Sequence, residues 1–327
     1  MDTKGKASAP AKIIIFGEHF VVYGNPAILA SISRRITVTA TLLTTDTNKI
    51  IIDSDLGIAG KYCDSTFIPI KGGTDSKAVL DPLYNAVRQV LATRNKKTGI
   101  KIGICSNVPY GIGLGSSAAS CVATIAAVDS LFGKPTKHKV CKQAIESEQI
   151  IHTNSSGADC YVSTFGGPIL FSRSEGYKRI QSKRALSIVI VSTGIRHSTG
   201  DLVASVKKFR DNNKLLFADL AKQARDICSQ AVIAISSNKQ EEIGLLMNEN
   251  QKILQQIGVS HKKADQIIDI CIRMGTLGAK ITGAGGGGAI IALAANKQDS
   301  IRIASHMRAQ GYDSFEVEMD YRGLVID

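Results

Sequence analysis

The amino-acid sequence predicts an α+β fold with two domains. Apolar patterns typical of strands and of helices are mixed along the 327 residues without strict strand–helix–strand repetition. Two glycine-rich runs, at 109–119 and 283–288, lie next to predicted strands. A chain of this length is expected to form about two domains. We place the boundary in the polar, glycine-containing stretch Ser174–Lys183, with an N-terminal domain at 1–178 and a C-terminal domain at 179–327.

The first domain contains strands and helices that the side-chain pattern separates clearly. β-Branched or alternating apolar residues predict strands at Lys12–Phe16, Arg35–Leu43, Ile100–Ser106, Tyr161–Thr164 and Pro168–Phe171. Apolar residues at helical spacing predict helices at Leu80–Lys97, Ser117–Phe132 and 136–152. In the first helix Asp81 is expected to cap and Pro82 to fit the first turn, and Thr136 is expected to cap the third.

The second domain begins with a predicted strand and continues with mostly helical patterns as far as Met274. Two strands flank the glycine run at 283–288. The further elements are the strand Leu186–Ser192, the helix Lys297–Gln310, and the strands Phe315–Met319 and Leu324–Ile326.

Composition narrows the class of protein. The formal charge of +12 suggests an anionic partner. However, the basic residues are spread along the chain and no aromatic-rich RNA motif accompanies them, so we expect no nucleic-acid partner. No apolar segment is long enough to span a bilayer and none resembles a signal peptide, which predicts a cytoplasmic protein without a membrane partner. The seven cysteines form no CxxC pair and are expected to be reduced, mostly buried thiols.

The first glycine run is the central motif. It opens a predicted helix directly after a predicted strand, and glycines there let backbone amides approach a phosphate at the positive end of the helix. A tight turn with a serine cap is the plainer alternative, but three alternating glycines followed by two serines favour anion binding. The residues are Pro109, Tyr110, Gly111, Ile112, Gly113, Leu114, Gly115, Ser116, Ser117, Ala118 and Ala119.

Two carboxylates follow this loop. Glu148 lies within the apolar stripe of the helix at 136–152, where a carboxylate should be paired or should bind a cation. Asp159 ends a loop of small polar residues, as in a binding site. Each also has a plain structural alternative: a glutamate reaching out to water, and an aspartate bonding its own turn. A kinase needs an oxygen ligand for Mg²⁺ and an acceptor near the attacking hydroxyl, and this pair supplies both.

The second glycine run contains a literal G-x-G-x-x-G at Gly283, Gly285 and Gly288. A dinucleotide-binding oxidoreductase would need a helix directly after these glycines and an acidic residue about twenty positions on. The stretch Ala289–Ala295 is instead predicted as a strand, and Asp299 comes early. We therefore expect a hairpin turn that brings backbone close to a ligand or to the first domain.

Together these segments resemble the GHMP kinase superfamily, which comprises galactokinase, homoserine kinase, mevalonate kinase and phosphomevalonate kinase. Three blocks carry the likeness, in the order and spacing of the superfamily: Ala9–His19, Pro109–Ala119 and Lys280–Gly288. Within it, Gly17–Ala27 and the stretch from Glu148 to Gly167 look like the mevalonate kinase family, and the short chain is similar to the compact archaeal-type enzymes. The fold so implied has an N-terminal lobe like ribosomal protein S5 domain 2 and a ferredoxin-like C-terminal lobe.

The resemblance also implies a role for each matching residue. Residues 109–119 would bind ATP, and Ser117 with Glu148 would hold Mg²⁺. Asp159 would accept or orient the substrate hydroxyl, with Lys12 beside it to neutralise developing charge. The substrate set would comprise Glu18, His19, Thr199 and Gly285.

The implied reaction converts ATP and mevalonate to ADP and mevalonate 5-phosphate for isoprenoid biosynthesis, and a homodimer is possible. Phosphomevalonate kinase or another kinase of the superfamily is the alternative, because Phe20, Ser155 and Cys160 depart from the usual motif. Phe20 is expected to narrow the substrate pocket, and Ser155 to loosen the loop before Asp159.

Overall fold

A long, mostly antiparallel sheet forms the first lobe. The computed structural model describes residues 3–44, 46–151, 156–182, 185–195 and 198–327. The sheet has the strand order β13-β1-β2-β6-β3-β4-β5, and β7 joins it by pairing with β2 and β8. Its strands are β1 (Lys4–Phe16), β2 (Ala27–Leu43), β3 (Lys49–Ser54), β4 (Ile58–Cys63), β5 (Thr66–Lys71), β6 (Gly99–Ser106), β7 (Pro168–Ser172), β8 (Gly176–Arg179) and β13 (Val325–Ile326).

Four helices belong to this lobe in the described residues, and they include the central helix α2. The helices are α1 (Ser76–Thr93), α2 (Ser116–Ser130), α3 (Lys137–Ile151) and α4 (Ala158–Phe165). Helix α2 is buried on nearly all sides, and it can pack closely on the sheet because its residues are small. At the contact with β1, a Cβ added to Gly5 would lie 2.2 Å from the carbonyl oxygen of Ala127.

The second lobe has the ferredoxin-like arrangement that the sequence implied. Its antiparallel sheet has the order β10-β11-β9-β12, in a β-α-β-β-α-β succession whose first crossover holds several helices. Its elements are β9 (Ser187–Ser192), α5 (Thr199–Asn212), α6 (Lys214–Ser236), α7 (Gln240–Gln256), α8 (Lys262–Arg273), β10 (Gly278–Thr282), β11 (Ala289–Ala294), α9 (Lys297–Ala309) and β12 (Ser314–Glu318).

The chain crosses between the lobes more than once. Strand β8 ends at Arg179 in the first sheet and β9 begins at Ser187 in the second. After β12 the chain returns, and Val325 pairs with Ser8 of β1. The division after residue 178 stays a prediction. In the described residues no helix is both long and apolar enough to cross a membrane.

Two predictions of local structure were wrong. Tyr161–Thr164 lies in helix α4 and not in a strand, because Gly157 at φ 75° starts a helix and the amide of Tyr161 donates to its carbonyl at 3.0 Å. A stretch of four residues is too short to distinguish the periodicity of a helix from that of a strand. Helix α1 begins at Ser76, so Pro82 lies inside the helix, and Asp81 accepts hydrogen bonds from Tyr62 and Lys77 instead of capping.

The strands β3, β4 and β5 had not been predicted. They form a meander in which Asp64 and Ser65, at φ 46° and 75°, make the two-residue turn between β4 and β5. Neither residue is glycine or asparagine, so the usual sequence signal of such a turn is absent. The other predicted helices and strands are found, with ends shifted by a few residues or with longer strands.

Candidate active site

The loop between β6 and α2 has the geometry of a phosphate cradle. Gly111, Gly113 and Gly115 adopt φ angles of 81°, 85° and 69°, which only glycine adopts at little cost. A Cβ on Gly111 or Gly113 would meet no atom within 4 Å, so this side of the loop is open. No side chain caps α2, and exposed Ser117 lies in its first turn. The helix therefore presents backbone N–H groups and a hydroxyl toward open space.

Lys12 connects this loop to Asp159. Its backbone amide donates to the Leu114 carbonyl at 2.9 Å, and its ammonium donates to the Gly113 carbonyl at 3.2 Å. The ammonium also lies 3.3 Å from Oδ2 of Asp159. The Lys12 side chain is buried, whereas that of Asp159 is 35% exposed. An incoming hydroxyl can therefore reach the carboxylate but not displace the lysine.

Gly115 is needed for this connection. A Cβ there would lie 2.7 Å from Cγ and 2.9 Å from Cε of Lys12, so the lysine stem occupies the space that any side chain would need. The loop glycine and the strand lysine are thus matched in shape. The space taken by Lys12 is therefore a second reason for glycine at position 115, in addition to its positive φ angle.

Glu148 on α3 is half-buried where α3 packs against α2 and α4. Burial is the main cause that raises the pKa values of the Cys121 and Cys160 thiols, and the Glu148 carboxylate adds to it in both. Cys121 lies one turn after Ser117 on the same face of α2, and Cys160 is adjacent to Asp159. The Glu148 carboxylate therefore lies close enough to Cys121 on α2 and to Cys160 on α4 to affect both thiols.

An apolar cavity of about 280 Å³ extends from the phosphate loop. Tyr110, Ser116 and Ser117 line one end, and its walls come from α1, β2, β6 and the β3–β4 turn. The apolar lining includes Ile36, Leu56, Ile58, Ala78, Leu83 and Val108. A flat nucleobase suits such a cavity, beside a loop suited to its phosphates. No sequence motif marks this cavity, because its lining comes from separate segments of the chain.

The second glycine run meets the first lobe at this site. A Cβ on Gly283 would lie 3.8 Å from the Gly113 carbonyl oxygen, so the two glycine turns face each other. Thr282, just before the run, donates to the Ile14 carbonyl and accepts from the Ile14 amide, both at 2.9 Å. The predicted contact between this turn and the first domain is present.

Glu18 and His19 lie beside this turn. Both side chains of the Glu18–Lys280 ion pair are fully buried. Burial raises the pKa of the Glu18 carboxyl and Lys280 opposes that rise, while burial lowers the pKa of the Lys280 ammonium. His19 donates from Nε2 to the Ala284 carbonyl at 2.8 Å, and burial lowers the pKa of its imidazole.

The other predicted substrate residues lie nearby, and their roles stay predictions. Gly285 packs against the segment between α7 and α8, where a Cβ on Gly285 would lie 2.3 Å from the Val259 carbonyl oxygen. Thr199 is exposed as the first residue of α5, next to its cap Ser198. One turn further, a Cβ on Gly286 would lie 2.8 Å from Cδ1 of Leu202, which places the start of α5 at the edge of the glycine turn.

The departures from the family motif are placed as follows. The Phe20 ring is fully buried and stacks on Phe217 of α6 with centroids 5.4 Å apart, so it fills the interface between the lobes. Cys160 is fully buried in α4. Ser155 and the preceding residues back to His152 lie outside the described residues.

Comparison with known proteins identifies the class. The family described as GHMP kinases N terminal domain matches residues 81–167, and GHMP kinases C terminal matches residues 231–313. The first match includes the phosphate loop, Glu148 and Asp159, and the second includes the glycine turn. The chain belongs to the GHMP kinase family.

Particular relatives narrow this further. Mevalonate kinase of Pyrococcus furiosus is 39% identical over 332 residues, covering 98% of each chain. The structure of L. major mevalonate kinase in complex with R-mevalonate has a TM-score of 0.83 at 28% identity, over 98% of this chain and 97% of that one. Phosphomevalonate kinase of Streptococcus pneumoniae has a TM-score of 0.73 at 16% identity, over 95% and 99%, which shows the fold alone. Within its family, the chain belongs with the mevalonate kinases.

Proposed function

We propose that the chain transfers the γ-phosphoryl group of ATP to a hydroxyl of mevalonate, giving ADP and mevalonate 5-phosphate. The observation that carries the proposal is the contact of Lys12 with both the Gly113 carbonyl, at 3.2 Å, and Asp159, at 3.3 Å. One cation thus lies between a phosphate loop and a carboxylate that a hydroxyl can reach. Positioning and charge neutralisation are the main requirements of phosphoryl transfer.

Each residue then has a defined task. The amides of residues 111–118 bind the polyphosphate, and the cavity beside them takes the adenosine. Asp159 orients the hydroxyl and accepts its proton, which leaves the oxygen free to attack phosphorus. Lys12 keeps the carboxylate in place and neutralises charge on the transferred group. The turn at 283–288 closes the cleft from the second lobe and excludes water.

The residues at the mouth of α2 fit a magnesium ion. Mg²⁺ prefers oxygen ligands and usually binds through one or two carboxylates together with phosphates. The Ser117 hydroxyl and the Glu148 carboxylate would hold it, and it would neutralise the charge of the phosphates when bound. Two observations support this placement: Glu148 is half-buried on α3, which packs against α2 and α4, and its charge contributes to the raised pKa values of the Cys121 and Cys160 thiols.

A coupled ADP-release assay over a panel of alcohols tests the proposal. The panel contains mevalonate, phosphomevalonate, homoserine and galactose, each with ATP and Mg²⁺. We expect turnover with mevalonate and little with the others. Turnover with phosphomevalonate but not with mevalonate would instead assign the chain to the alternative kinase.

A further inference from the structure

Lys280 has no assigned role, although it begins the third family motif. Its side chain, like that of Glu18, has no exposed surface, and its ammonium donates to Oε1 of Glu18 and to the Ile281 carbonyl, the latter at 2.7 Å. Glu18 belongs to the first lobe and Lys280 to β10 of the second. Within the described residues, Oε2 of Glu18 has no hydrogen-bond partner. A buried ion pair of this kind adds little net stability over an apolar pair, so its benefit lies in the orientation of the groups that it joins.

A second contact shares the same face of β10. Thr282 lies two residues after Lys280, and residues two apart in a strand point to the same side. Its hydroxyl both donates to and accepts from the main chain of Ile14 at 2.9 Å. One face of β10 therefore holds β1 through Thr282 and the segment just after β1 through Lys280.

His19 lies between these contacts and the glycine turn. Its backbone has φ 59° and ψ −45°, a positive-φ conformation that costs a non-glycine residue free energy and persists only where the surroundings impose it. Glu18, the preceding residue, is held by Lys280, and the His19 ring is held by the Ala284 carbonyl at 2.8 Å. Both restraints come from the second lobe, within one short stretch of chain.

We infer that Lys280 is a positioning residue for phosphoryl transfer: by holding the buried Glu18 carboxylate across the lobe interface, it keeps His19 in its strained conformation on the substrate side of the cleft. This inference rests on the proposed function. Glu18 acts with Lys280 as a support, since its fully buried carboxylate offers no surface to a substrate. The apolar cavity on the ATP side of the cleft is lined by residues of the first lobe.

Kinetics of Lys280→Met test the inference, because methionine keeps the length of the stem and removes the charge. We expect the KM for mevalonate to rise about tenfold or more, as displaced positioning groups cause, while the KM for ATP stays near the wild-type value. The matched control is Arg35→Met. Arg35 of β2 and Asp320, in the segment that returns to the first lobe after β12, also form a nearly buried ion pair, with side chains 14% and 4% exposed. Arg35 donates further hydrogen bonds to the carbonyls of Ser8 and Gly323, neither of which is a proposed site residue.

The outcomes separate positioning from stability. If Lys280→Met and Arg35→Met lower the urea midpoint alike but only the first raises the KM for mevalonate, the inference stands. Equal KM values in the two variants would overturn it. If Lys280→Met does not fold, Glu18→Gln replaces it in the same test. A rise in the KM for mevalonate alone would then support the inference, and an unchanged KM would overturn it. Absence of mevalonate turnover in the wild-type protein would instead reject the proposed function.

Discussion

The Lys12 ammonium lies 3.3 Å from Oδ2 of Asp159, although one residue belongs to the first strand and the other to the fourth helix. The same ammonium donates to the Gly113 carbonyl in the phosphate loop. The contact joins the predicted ATP site to the predicted acceptor of the hydroxyl proton. It leaves the Asp159 side chain 35% exposed.

Replacing Asp159 by asparagine should abolish most turnover while ATP still binds. The amide keeps the shape of the side chain but cannot accept the proton, so we expect kcat to fall by about 10²–10⁴-fold. Steady-state kinetics with mevalonate measure kcat, and nucleotide binding is followed separately by calorimetry. The control is Asp219→Asn, on the exposed face of α6. Near-normal kcat in Asp159→Asn would remove Asp159 from its role.

Gly115→Ala should impair catalysis more than its backbone cost explains. The left-handed φ of 69° costs an alanine roughly 1–2 kcal/mol. In addition, its Cβ would displace the Lys12 stem, which lies 2.7 Å from the position of that atom. Gly73→Ala is the matched control, since Gly73 has φ 66° and nothing within 4 Å of an added Cβ. We expect similar losses of stability by urea unfolding but a fall in kcat only in Gly115→Ala; equal kcat values would refute the packing argument.

Glu148→Gln should raise the Mg²⁺ concentration needed for half-maximal activity. Mutation of residues that only hydrogen-bond to metal ligands lowers metal affinity by about 10–100-fold, so loss of a ligand should lower the affinity for Mg²⁺ by at least as much. Activity is titrated with Mg²⁺ at saturating ATP and mevalonate. Glu146→Gln is the control, because Glu146 is exposed on the same helix and bonds Gln89 at 2.6 Å. Identical Mg²⁺ titrations of the two variants would exclude Glu148 as a ligand.

The free energy of unfolding should fall at acidic pH because of His19. Burial lowers the pKa of its imidazole below the ordinary 6.5, so below pH 6.5 the unfolded chain binds a proton that the folded protein does not. The contribution of His19 to the free energy of unfolding is therefore complete above pH 6.5 and is lost as pH falls through the lower, folded-state pKa.

Urea unfolding at a series of pH values measures this effect. His19→Gln should show a shallower decline than the wild type, whereas His138→Gln, at an exposed position, should keep the wild-type decline. If His19→Gln had the wild-type pH dependence, the imidazole would not be the group responsible.

Most residues of the candidate site carry signals in the sequence because those signals are local. Three glycines before a helix, Glu148 within an apolar stripe and Asp159 in a loop of small residues are patterns within a few turns of chain. The motif order then identified the family. The helix α4 shows the limit, since Tyr161–Thr164 is too short to reveal its period and only the packing of its buried residues decides it.

By itself, the sequence determined a glycine loop at the start of a helix, the residue types available for catalysis and the class of kinase, since backbone freedom, periodicity and side-chain chemistry are properties of neighbouring residues. The tertiary structure alone decided which distant groups meet: Lys12 with Asp159, Lys280 with Glu18, and separate segments around the apolar cavity. Such contacts depend on how distant strands and helices pack together, within one lobe or across two. No local preference encodes that geometry.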